Sequence, residues 1–115
     1  MITLKRVYEG GKCTGAQCFL VERLWPRGIS KENAHVDYWA RDIAPSAELR
    51  HWYSHDPDKW VEFRERYKEE LRLNAKLAEF RDIVFSHPMV TFLFASRETE
   101  KNSASVLREF ILQDM

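Results

Sequence analysis

Between residues 23 and 31 the chain reads Arg23-Leu24-Trp25-Pro26-Arg27-Gly28-Ile29-Ser30-Lys31, a segment dense in groups that could bind an anion. A guanidinium is a planar fork of donors that matches a carboxylate or a phosphate, and Arg23, Arg27 and Lys31 put three cations on one loop. Pro26 fixes its own φ and pushes Trp25 towards an extended backbone, while Gly28 admits a turn that other residues resist. The loop is expected to be stiff, with Arg23 and Arg27 clamping an anion and Trp25 packing against the ligand body. The alternative is a turn whose arginines pair with Glu22 and Glu32, and residue chemistry leaves the two open.

A second set stands near the C-terminus. Arg97, Lys101, Asn102 and Ser103 surround the expected start of a helix, whose unpaired N–H groups favour an anion. The candidates for proton transfer are His55, Asp42 and Glu98. Histidine titrates near neutrality, and paired carboxylates can do acid–base work. Salt bridges to Arg23, Arg27 or Arg41 are the structural alternative for the carboxylates. Ser46 joins the ligand-binding candidates as a polar residue at a helix start. No GxGxxG, P-loop, GxSxG or HExxH pattern is present. His51 and His55 stand four apart, but Trp52 occupies the place of a zincin glutamate and no third ligand follows. Neither a metal nor a cofactor is expected.

These residues need elements to position them. Ile2, Leu4 and Val7 suggest a first strand over 2–7, followed by a turn through Gly10-Gly11 to Gly15. Gln17 to Leu24, with the apolar run Cys18-Phe19-Leu20-Val21, predicts a second strand covered on both faces, as in a parallel sheet. Ser30 can cap a helical turn, and Asp37 to Asp42 reads as a short third strand. Ser46 can cap a helix to about Tyr53. Asp56-Pro57-Asp58 is a clear helix start, followed by the stripe Trp60, Phe63, Tyr67 and Leu71. The stripe changes phase near Asn74 and resumes through Leu77, Phe80 and Val84. Val90 to Ala95 is the strongest strand, and Asn102 or Ser103 caps the last helix. If the second and fourth strands are parallel neighbours, the Arg23–Lys31 and Ser96–Ser103 loops share one sheet edge, where ligands of α/β sheets usually sit.

The 115 residues suit one domain, residues 1–115, with a modest core. Eighteen Lys+Arg balance eighteen Asp+Glu, so no global field would gather nucleic acid or anionic membrane, and an anion site must be local. No signal-like N-terminal run or membrane-length apolar stretch appears, which points to a cytoplasmic protein with no membrane partner. Cys13 and Cys18 form no zinc pattern and are read as two thiols in a reducing compartment, with a disulfide the less favoured alternative.

Arg23-Leu24-Trp25-Pro26-Arg27-Gly28 also resembles the YeaO-like family of small bacterial proteins, a domain of unknown function (488). The likeness continues through Ser30-Lys31, Trp39, Ala44-Pro45-Ser46, Leu49-Arg50, His55-Asp56-Pro57, Trp60, Asn102 and Val106-Leu107-Arg108-Glu109, covering nearly the whole chain. The resemblance implies a compact α/β cytoplasmic protein and brings no established activity. It draws attention to Arg23, Arg27, Lys31, Ser46, His55, Arg97 and Asn102 as polar positions that a core does not explain. That family usually carries an aspartate where this chain has Glu98.

The expectation is an α/β layered sandwich with a short, mostly parallel sheet of about four strands flanked by helices. Its strand ends would carry a cleft for a phosphorylated small molecule, a nucleotide or a carboxylate, with or without catalysis. The alternative function is a non-enzymatic module for nucleic acid or a protein partner on the Trp25/Arg27 surface. In a third reading the arginines only hold loops together. Oligomeric state is open.

Overall fold

Val90-Thr91-Phe92-Leu93-Phe94 is apolar on both faces, and it forms the wholly buried central strand β4 (Val90–Phe94) of a computed structural model that describes residues 1–113. On one side β4 pairs with β1 (Ile2–Arg6), and on the other with β2 (Gln17–Leu20). The edge strand beyond β2 is β3 (Tyr38–Trp39), giving the order β1-β4-β2-β3 with every pairing parallel. The α/β class holds, and β2 and β4 are parallel neighbours.

The helices are α1 (Lys31–Ala34), α2 (Ala47–Tyr53), α3 (Trp60–Arg72), α4 (Leu77–Phe85) and α5 (Ser103–Gln113). Side chains alternate across a strand, so the two faces of the sheet meet different partners. Phe19, Phe92 and Phe94 pack with Leu49, Phe63, Tyr67, Phe80, Leu107 and Ile111 from α2 to α5. Burying one such side chain is worth about 1.5–3 kcal/mol, so this stripe holds α3 in place more than helix propensity does. The opposite face, Cys18, Leu20 and Leu93, is covered by Val7, Trp25, Ile29, Val36 and Trp39 from connecting segments. Long helices therefore flank one face only.

Local chemistry explains the breaks. Ser30 and Ser46 accept the Asn33 and Leu49 N–H groups and cap α1 and α2. Asp56 accepts the Asp58 N–H, and Pro57 opens a 3-10 turn that runs into α3. At the phase change, Asn74 donates to the Asp42 carbonyl and accepts from the Lys76 amide, so α3 and α4 are separate helices. Asn102 caps α5 through the Ser105 N–H.

Three expectations are corrected. The second strand ends at Leu20, not Leu24, because the carboxylate of Glu22 accepts the Ala95 N–H (3.0 Å) and Trp39 Nε1–H donates to the Glu22 carbonyl (2.7 Å). Side-chain bonds thus replace the ladder and turn the backbone out of the sheet. The third strand is Tyr38–Trp39 alone, since residues 41–43 coil into a 3-10 turn after Ala40 has donated to Leu20. Cys13 and Cys18 are joined in a disulfide rather than left as thiols. The turn at Gly15 (φ 74°), closed by Ala16 N–H on the Cys13 carbonyl, folds Cys13 back to a Cα distance of 5.7 Å, within the range a disulfide spans.

Candidate functional site

At the C-terminal ends of β2 and β4 the chain diverges into the Glu22 segment, the loop after β4, and the turn that ends α2. Between them lies a cavity of about 240 Å3. Glu22, Ala95 and Ser96 come from the strand ends, Pro45, Arg50, Tyr53 and His55 from the α2 region, Phe63 from α3, and Asn102 and Ser103 from the start of α5. Arg50 and Tyr53 are three apart on α2, which puts them on one helix face.

His55 reaches this cavity through an unusual turn. Ser54 (φ 45°) and His55 (φ 56°) are consecutive left-handed residues, a conformation costing roughly 1–2 kcal/mol each outside glycine. The turn is held on both sides, by Ser54 N–H on the Arg50 carbonyl and Asp56 N–H on the Tyr53 carbonyl. Such strain persists only where surrounding bonds over-determine it.

Burial pushes the Glu22 carboxyl above its ordinary pKa, against the opposing pull of the Ala95 amide and the charges of Arg50 and His55. Burial also raises the Tyr53 phenol. Glu22 and Arg50 face the same cavity and form no salt bridge with each other among the described residues. The start of α5 brings Asn102 and Ser103 to the cavity, with Asn102 almost fully buried and its side-chain amide donating to the Glu98 carbonyl at 2.8 Å.

The sequence-derived candidates divide. His55, Asn102 and Ser103 line the cavity. Arg23 does not: its Nε and Nη2 donate to the carbonyls of Pro45 (2.9 Å) and Ala44 (3.1 Å), tying the loop to the approach to α2. Trp25 is wedged edge-on against Trp39, centroids 5.3 Å apart, with its Nε1–H on the Ile29 carbonyl. Arg27, Gly28 and Lys31 are exposed outside it; Gly28 holds φ 78°, and the Arg27 carbonyl accepts from Tyr8 Oη–H. Ser46 is occupied by both carboxylate oxygens of Glu70, which fasten the start of α2 to α3. Arg97 is exposed with no side-chain partner among the described residues.

The three proton-transfer candidates are likewise apart. Asp42 is exposed and paired with Lys76 (2.8 Å), whose hydrogen bond and charge lower its pKa. Glu98 is exposed in the loop before α5, where its carboxylate accepts the Glu100 N–H. Only His55 reaches the cavity. Among the described residues no cluster of three or more His, Cys, Asp or Glu is placed to hold a metal.

Sequence reasoning passed over Glu22, Arg50 and Tyr53. Glu22 had a signal, as a lone carboxylate directly behind the apolar run Cys18–Val21. Arg50 had only its place in the Leu49-Arg50 part of the family resemblance.

A family model described as the inactive DUF488-N3 subclade matches residues 1–115. The chain belongs to the DUF488-N3i family. The uncharacterised protein Rv3073c of Mycobacterium tuberculosis is 41% identical over 110 residues, covering 96% of this chain and 92% of that relative. The uncharacterised protein YeaO of Escherichia coli is 35% identical over 111 residues, covering 96% of each. No solved structure gives a significant match. The resemblance seen at Arg23–Gly28 is thus membership of DUF488-N3i. None of these relatives brings an activity to the cavity.

Proposed function

We propose that the chain is a non-catalytic binding module for a small anionic metabolite, a carboxylate or a phosphorylated small molecule, seated at the C-terminal ends of β2 and β4. One observation carries the reading: Arg50, His55 and the N-terminus of α5 converge on one cavity at the position where α/β sheets hold ligands. Arg50 makes no ion pair among the described residues, so its fork is available to an oxyanion. His55, exposed at the same cavity, adds a ring N–H that can donate to the ligand. At about 240 Å3 the cavity lies below the roughly 300–1,000 Å3 of sites for drug-sized molecules, which favours a small acid over a dinucleotide. Binding is preferred to catalysis because the family is described as inactive. No helix in the described chain is long and apolar enough to cross a membrane. A cytoplasmic location belongs to the same proposal and rests on sequence, and there the Cys13–Cys18 disulfide is exposed to reduction.

The alternative, nucleic acid or a protein partner on the Trp25/Arg27 surface, keeps Arg27 and Lys31 but not the indole, whose N–H and edge are already engaged. A thermal-shift screen with carboxylates, sugar phosphates, nucleotides and short oligonucleotides separates the two. A small acid at a hundred times its dissociation constant should stabilise the wild type by about 2.7 kcal/mol. The shift should disappear in Arg50→Ala and survive in Arg27→Ala. A response to oligonucleotides alone, lost in Arg27→Ala, would overturn the reading.

A further inference from the structure

Glu22 is the group in the cavity that a simple anion site does not explain. Its Oε2 accepts the Ala95 N–H, and among the described residues no protein donor reaches Oε1. Arg50 lines the same cavity, close enough for its charge to act on Glu22, yet the two do not close into a salt bridge. A carboxylate and a guanidinium thus line one small cavity, each with hydrogen-bonding capacity that no partner among the described residues takes up. A bare carboxylate or phosphate bound at Arg50 would share the cavity with the Glu22 carboxylate, and like charges repel.

We infer that the ligand is a small zwitterion of amino-acid type, its ammonium group on the Glu22 carboxylate and its acid group on Arg50 and the first N–H groups of α5. This rests on the reading of the cleft as a small-anion site and adds the second pole. An ammonium supplies the donor that Oε1 lacks, and charge-assisted bonds of this kind are the stronger ones. Both charges of the cavity are then neutralised together. Tyr53, Phe63 and Pro45 form the less polar wall, against which a short carbon skeleton can lie.

The test is calorimetric titration of the full chain with the common amino acids, then with the deaminated acid and the decarboxylated amine of any that bind. At least one amino acid should bind, and each of its two truncated counterparts should bind at least tenfold more weakly. Glu22→Gln should weaken the amino acid tenfold or more while tightening the deaminated acid, from which it removes a like charge, and Arg50→Ala should weaken both. If the deaminated acid or inorganic phosphate binds the wild type as tightly as any amino acid, the zwitterion inference fails and the small-anion reading stands. If no amino acid, carboxylate or phosphate binds, both fail. Should Glu22→Gln not fold, the comparison of amino acid with truncated counterparts on the wild type decides alone.

Discussion

Arg23 and Arg27 sit four residues apart in one loop and do different work. Arg23 donates two charge-assisted bonds to the carbonyls of Ala44 and Pro45, in a half-buried setting where those acceptors have few alternatives. Bonds from a charged group are worth about 1.5–3 kcal/mol each, and relaxation recovers part of that. Arg23→Ala should therefore lower stability by about 1–3 kcal/mol in denaturant titration. The exposed Arg27 side chain has no partner among the described residues, so Arg27→Ala should stay within about 0.5 kcal/mol of wild type. Equal losses in the two variants would show that the loop is held by something other than Arg23. Arginine in a Pro-Gly loop reads the same in sequence whether it meets a ligand or a carbonyl, because the acceptors here lie more than twenty residues away.

Among the elements, the connection from β1 to β2 is the least supported by helix or ladder. The chain crosses there over residues 7–16, by a 3-10 turn at Val7–Glu9 and a glycine-rich loop. Three ties pin the neighbourhood: Tyr8 Oη–H on the Arg27 carbonyl, the packing of Val7 against Leu20 and Leu93, and the Cys13–Cys18 disulfide. A bridge with a sequence separation of 5 closes a short loop, and chain entropy puts its contribution at about 2 kcal/mol. Reduction, or Cys13→Ser, should lower Tm by several degrees and raise amide exchange in residues 10–16. An unchanged Tm under reductant would mean that the other two ties suffice. Spacing alone could not assign the bridge, because it depends on the Gly15 turn folding back against β2.

At the scale of the whole molecule, two glutamates oppose each other in the dependence of stability on pH. Glu22, raised above its ordinary 4.5 chiefly by burial, binds its proton more tightly folded than unfolded. Its contribution is full below the unfolded value and lost as pH rises through the folded one. Burial would raise Glu109 too, but the hydrogen bond from Arg64 and the charges of Lys68 and Arg64 outweigh it and lower the carboxyl below 4.5. Its contribution is present above the unfolded value and lost as pH falls through the folded one. Glu22→Gln should flatten the decline in Tm above about pH 4.5, and Glu109→Gln should flatten the acid side. A Glu22→Gln profile parallel to wild type would mean that Glu22 titrates alike in both states.

The sequence by itself determined the α/β class, the helix starts at Ser30, Ser46 and Asp56, a last helix beginning at Asn102 or Ser103, and the change of phase at Asn74. Each rests on local signals: apolar periodicity, a capping side chain, a proline. It also supplied Asn102 and Ser103 as the start of the helix after β4, and His55 through its imidazole and the family resemblance. The parallel pairing of β2 with β4 came from the tertiary structure. Only the tertiary structure decided that Glu22, Arg50 and Tyr53 share the cavity with them, that Arg23 and Trp25 turn to the scaffold, and that Asp42 and Glu98 lie elsewhere. The reason is range. Caps and stripes are written within one turn of chain, whereas the partner of a charged side chain is set by whichever segment packs beside it, here Ala95 against Glu22, 73 residues away.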